Sequence, residues 1–135
     1  MNDRLEAAVK EFLELEDPME KYELLFEYAD ELDELDSSLW SNETKVHGCQ
    51  SEVHIQLNFS DADGAHLQGA ADAMIMQGLM SLISMSIEGL SPEQVVRFEP
   101  TFLETIGIQN SLTPSRSNGL RSLIKTIQEI AREVV

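Results

Sequence analysis

The sequence predicts an α+β fold, a small antiparallel sheet of about three strands covered by helices. Three observations lead there. Apolar residues recur at helical spacing near both ends of the chain. In the middle, Val53, Ile55, Leu57 and Phe59 alternate with Glu52, His54, Gln56 and Asn58, the period of a half-buried strand. Asp72 to Ile87 is apolar on nearly every side, the mark of a buried helix. The chain has 135 residues and no repeat, low-complexity segment or linker, so residues 1–135 are read as a single domain.

Taken in order, Leu5, Ala8, Val9, Phe12 and Leu13 give a first amphipathic helix from Asn2 to Leu15. Asp17-Pro18 supplies an N-cap and a first-turn proline. A second helix runs to about Leu32, with Tyr22, Leu25, Phe26, Ala29 and Leu32 on one side. Ser37 to Asn42 reads as a loop, and Val46 as part of a short strand before a bend at Gly48-Cys49. Asp61-Ala62-Asp63-Gly64 turns the main strand into an antiparallel return over Ala65, Leu67 and Gly69. With the apolar faces kept together, Leu57 opposes Leu67 and Asn58 opposes His66. The helix from Asp72 covers the sheet, and its methionines read as core filling rather than an adaptable groove. Gly89 is a C-cap, and Ser91-Pro92-Glu93-Gln94 carries a capping box. Gly107 ends a short segment. Thr113-Pro114-Ser115 opens the last helix, where Leu120, Leu123, Ile124, Ile127 and Ile130 face inward.

The formal net charge is −16, from 25 acidic residues against nine Lys and Arg. A field of that sign repels phosphate backbones and anionic lipid, so neither nucleic acid nor membrane is an expected partner. The acids concentrate from Glu11 to Asp36, and the run Asp30 to Asp36 within them reads as a solvated helix face and its trailing loop, with a docking surface for a basic partner as the sharper alternative. A single cysteine forms no internal disulfide. The charged N-terminus has no apolar signal core, and no run approaches a membrane span. The expected location is cytoplasmic.

Little conventional chemistry is on offer. There is no phosphate-cradling glycine loop, nucleophile elbow or convergent carboxylate pair. His47-Gly48-Cys49 puts two potential ligands close together, but a structural zinc wants about four. The hairpin register keeps His54 and His66 apart, so no metal is expected.

That leaves Cys49. A lone free cysteine is most simply a small buried hydrophobe. Its setting argues for a second reading: Gly48 lets the backbone turn sharply, and Cys49 precedes the strand rather than joining its alternation. Lys45 and His47 favour thiolate, while the acidic field opposes it. An unperturbed thiol is only about 3% ionised at pH 7. The thiol needs help from elsewhere.

Val46 to Val53, VHGCQSEV, resembles the cysteine-loop motif of the SufE family of sulfur acceptors, close to V-x-G-C-x-S-x-V. Leu112 to Leu120, LTPSRSNGL, is similar to the L-T-P-S-R-x-x-G-L stretch that opens that family's last helix. Gly69 to Ala73, Gly78-Leu79 and Lys21-Tyr22 fit between and before them. The sequence departs from the pattern at His54, where the family often has tryptophan, at Ala71 for serine, and at Asp33 for proline.

The resemblance implies a SufE/IscU-like fold and a sulfur relay. A pyridoxal-phosphate cysteine desulfurase of the SufS or CsdA type would pass persulfide sulfur to Cys49. Delivery would be to a SufBCD-type scaffold or another sulfur acceptor. The resemblance also implies stimulation of the desulfurase and a resting cysteine turned toward an apolar pocket. It implies no cofactor of the acceptor's own and no independent small-molecule turnover. Gly48 would act as hinge, with Gln50 and Ser51 supporting the loop by hydrogen bonding. Arg116 would anchor the loop or contact the partner, and the role of His47, a catalytic base among its options, stays open. A non-carrying regulatory or scaffold subunit is the alternative.

Overall fold

The computed structural model describes residues 2–50, 52–108 and 112–135. Helix α1 spans Asp3–Leu13 and α2 spans Pro18–Ala29. A single 3-10 turn, Ser37–Leu39, precedes the hairpin of β1 (Val53–Ser60) and β2 (Gly64–Ala71). Helices α3 (Met74–Ile87), α4 (Pro92–Val96), α5 (Phe102–Ile106) and α6 (Pro114–Val134) follow. The caps are those the sequence suggests. Asp17 accepts from the Met19 amide, Ser91 and Gln94 form a capping box, and Thr113 accepts from the Arg116 amide.

The hairpin pairs Leu57 with Leu67, Asn58 with His66 and His54 with Ala70, the register set by keeping apolar faces together. Its inner face lies on α3, whose Leu79, Met80, Leu82, Ile83 and Ile87 are fully buried. Helix α3 thus forms the centre, touching α1, α2, α6 and the sheet.

Of the three strands expected, the described residues form two. The Val46 segment is reduced to one antiparallel bridge between Lys45 and His54, flanked by Val46 N–H to Val53 O at 2.8 Å and Ile55 N–H to Thr44 O at 2.8 Å. Beyond it the chain turns away at Gly48, where φ is +96°. The opposite edge has a parallel bridge from Glu34 to Gly69. Both hairpin edges are therefore covered by short backbone contacts instead of full strands.

Four helix readings change. Helix α1 stops at Leu13, whose side chain is 56% exposed rather than on the buried line of Leu5, Ala8, Val9 and Phe12. Helix α2 stops at Ala29, although Leu32 is still buried in the turn beyond it. Its inward face is Leu24, Leu25, Tyr28 and Ala29, whereas Phe26 is 38% exposed, about a hundred degrees round from Leu25. On α6 the buried line is Leu120, Leu123, Ile127 and Ala131, which leaves Ile124 and Ile130 half-buried at its margins.

Candidate functional site

The cysteine loop is built by two constraints. Val46 is fully buried and tied to Val53, which fixes where the loop leaves the sheet. Gly48 then reverses the chain in a left-handed conformation costly for any other residue. A side chain there would also be obstructed: a Cβ on Gly48 would stand 2.5 Å from Ser122 Oγ of α6.

These constraints lay Cys49 against the first turns of α6. Its thiol donates to the carbonyl oxygen of Gly119, with Sγ 3.6 Å from O. A Cβ on Gly119 would lie 3.4 Å from that sulfur and 3.6 Å from Met76 Cε. Just beside this contact Ser115 Oγ donates to Gln50 Oε1 at 3.0 Å. Ser115, Gly119 and Ser122 are spaced four and three apart, so small residues share the α6 face beneath the loop. They let the backbone approach.

Around the thiol is a cavity of about 10 Å³, lined by Cys49, Gln50, Val53, Met76, Ser115, Arg116 and Gly119. It is about one small atom in size. Met76 and Val53 are buried and make its apolar wall, while Cys49 itself is half-buried. Burial pushes the Cys49 thiol up from its ordinary pKa, so it rests protonated at neutral pH. Larger clefts lie elsewhere; one of about 430 Å³ between α1 and α2 is rimmed by Glu11, Glu14, Glu20, Glu23 and Glu27 and has no thiol or hydroxyl in its lining.

The structure brings together Cys49, Gln50 and Arg116, three of the side chains expected from sequence. His47 is exposed and makes no hydrogen bond among the described residues. Ser51 lies outside the described residues. Lys45 is engaged 3.4 Å from Glu52. Arg116 is half-buried, and its Nε is buried without a hydrogen-bond partner among the described residues. The roles of Ser115, Gly119, Ser122 and Met76 escape a reading centred on reactive side chains. The signal for the first three is their common helical face, seen only once α6 is known to lie under the loop.

His54 is a second departure. It alternates as an outward residue yet is 4% exposed, because Trp40 stacks on it with ring centroids 4.6 Å apart. Thr44 Oγ1 lies 2.8 Å from its Nδ1 and Glu52 Oε2 2.8 Å from its Nε2. Among the described residues no group of three or more His, Cys, Asp or Glu side chains could hold a metal ion. Nor is any helix there long and apolar enough to cross a membrane.

Comparison with known proteins bears on this arrangement. The family model described as SufE, Fe-S metabolism associated domain, matches residues 6–131. SufE-like protein 1, chloroplastic/mitochondrial, of Arabidopsis thaliana is 34% identical over 128 residues; the match covers 95% of this chain but 34% of that protein, so the chain spans about a third of its relative. An uncharacterized SufE-like protein of Synechocystis sp. is 36% identical over 124 residues, covering 92% of this chain and 77% of the relative. The solution structure of a hypothetical protein from Thermus thermophilus superposes with a TM-score of 0.75 at 24% identity, covering 96% of this chain and 93% of the other, and shows the shared fold. A family model reaching across nearly the whole chain, joined by curated relatives of like sequence, makes this protein a member of the SufE family.

Proposed function

We propose that this protein is a cytoplasmic, single-domain sulfur carrier that takes persulfide sulfur from a pyridoxal-phosphate cysteine desulfurase onto Cys49. It stimulates that enzyme and passes the sulfur on for iron–sulfur cluster assembly, to a SufBCD-type scaffold or another acceptor. The observation that carries the reading is a lone thiol on a glycine turn, its sulfur against Gly119 and facing a small cavity that Met76 also lines, in a chain of the SufE family.

The transfer is an exchange at sulfur. The Cys49 thiolate attacks the terminal sulfur of the donor's persulfide, an S–S bond forms on Cys49, and the donor's S–S bond breaks. The donor cysteine leaves as thiolate, the persulfide proton stays with the transferred sulfur, and no net oxidation occurs. A buried, protonated thiol does this poorly, so deprotonation and extension of the Gly48 turn belong to the docked state. In this scheme Gln50 and Ser51 support the loop, Arg116 anchors it or meets the partner, and His47 lies free for the docked enzyme.

The test is to incubate the protein with a cysteine desulfurase of this class and cysteine, then weigh it by mass spectrometry. A gain of one sulfur atom at Cys49, absent in Cys49→Ser, supports the carrier. Stimulation of the desulfurase that survives Cys49→Ser favours a regulatory subunit instead.

A further inference from the structure

We infer that Arg116 is the anion-binding residue of the loaded state, its Nε–H receiving the negatively charged terminal sulfur of a Cys49 persulfide inside the resting protein. This deepens the carrier reading and rests on it. Loading the thiol changes which donors and acceptors the site needs. At rest the neutral thiol is a donor, and the Gly119 carbonyl accepts its hydrogen. A persulfide is a stronger acid than a thiol and carries its charge on the outer sulfur. That anion has no hydrogen to give and is repelled by a carbonyl oxygen, so it needs a donor and a positive charge.

The cavity wall offers one group that is both. Of the side chains lining the cavity, Val53 and Met76 are apolar, Ser115 spends its hydroxyl hydrogen on Gln50 Oε1, and the Gln50 amide N–H2 is a donor without charge. Arg116 is the one charged side chain in that described wall. Its Nε is buried and has no partner among the described residues. A buried guanidinium N–H left unpaired costs free energy, and native structures rarely retain one without reason. A sulfur anion accepting from it would make a charge-assisted bond and remove that penalty. Arg116 also sits three residues before Gly119, so its side chain and the thiol's resting acceptor belong to one α6 face. The same placement explains a cation in the first turn of α6, where the helix dipole disfavours positive charge. Against a net charge of −16, a stored anion needs such a local cation.

The test loads Cys49 with inorganic polysulfide, so no desulfurase takes part. The thiolate displaces a polysulfide shortened by one sulfur and is left as the persulfide anion, with charge conserved. Perthiolate absorbance in the near ultraviolet is then titrated with acid in the wild type, Arg116→Gln and Arg116→Lys. Loss of the guanidinium in Arg116→Gln raises the midpoint by about one pH unit or more, and Arg116→Lys recovers part of it. In the wild type, needing no substitution, the Arg116 Nε–H signal in proton–nitrogen spectra moves on loading. An Arg116→Gln protein that melts like the wild type yet titrates at the same midpoint overturns the assignment, as does an Nε–H signal indifferent to loading. The two proposals fail separately. Absence of transfer from a desulfurase to wild-type Cys49 defeats the carrier reading, whereas normal transfer with an unmoved midpoint defeats the Arg116 assignment alone.

Discussion

Cys49 Sγ lies 3.6 Å from the carbonyl oxygen of Gly119, seventy positions further along the chain, so one residue without a side chain forms the floor on which the thiol rests. A methyl group on Gly119 would sit 3.4 Å from the sulfur, in ordinary contact. Gly119→Ala is therefore expected to fold, since a helix interior gains from alanine by about 0.5–1 kcal/mol. The same methyl group occupies the small cavity where a second sulfur would lodge. Persulfide on this variant should be lost to added dithiothreitol severalfold faster than on the wild type, followed by mass spectrometry. Equal lifetimes would show that the cavity does not shelter the sulfur.

Gly48 is held by a different pair of constraints, a φ of +96° and the approach to Ser122. Gly48→Ala meets both the left-handed penalty of about 1–2 kcal/mol and a clash with Ser122 Oγ. We expect a stability loss of about 2 kcal/mol, read by denaturant unfolding, and faster alkylation of Cys49 by iodoacetamide as the loop lifts from α6. Gly48→Ala combined with Ser122→Ala removes the clashing Oγ, keeps the Ser122 Cβ in ordinary contact at 3.4 Å and leaves the backbone penalty, so measured against Ser122→Ala alone it should recover only part of the loss. Full recovery would mean the positive φ costs nothing.

The resting thiol has its own signature. Burial raises its pKa, so the alkylation rate of folded protein should climb with a midpoint above the ordinary cysteine value of about 8.5. In denaturant the midpoint should fall back to that ordinary value. The linkage follows the same direction: a raised folded pKa gives stability that is complete below the unfolded value and lost as pH rises through the folded one. A midpoint below about 8 in the folded protein would contradict a sheltered thiol and point to an activated one.

What could be read from sequence divides along physical lines. The hairpin register is legible because a slip of one residue would turn every apolar side chain of β1 to water. The cysteine loop and the arginine of α6 are legible as motifs, since their residues are chemically distinctive. The third strand is not, because the positive φ at Gly48 ends the pairing after a single bridge and periodicity does not register so short a contact. The buried state of His54 is hidden for another reason: its cover is Trp40, fourteen positions away in a segment that reads as loop. Ser115 and Ser122 look like ordinary helix-surface serines until the loop is laid over them. Long-range approach, not local propensity, makes those residues matter.

His66 on β2 offers the clearest pH test away from the thiol. Its Nε2 is 2.7 Å from Asp33 Oδ2 and its Nδ1 3.0 Å from Glu88 Oε2, so one ring joins the segment after α2 to the end of α3. Only the imidazolium donates from both nitrogens, and its bonds to Asp33 and then Glu88 raise the pKa. A histidine raised on folding contributes stability that is complete below its unfolded value of about 6.5 and disappears as pH climbs through its folded value. The side chain is 46% exposed, so solvent screening limits the gain to about half a kcal/mol. Thermal unfolding of the wild type and His66→Gln should therefore differ at about pH 5.5 and converge near pH 8.5, with the low-pH gap shrinking in high salt. The Cys49 titration is common to both proteins and cancels in the difference. A gap that is constant with pH would assign His66 to packing, and one that widens on the alkaline side would reverse the sign of the argument.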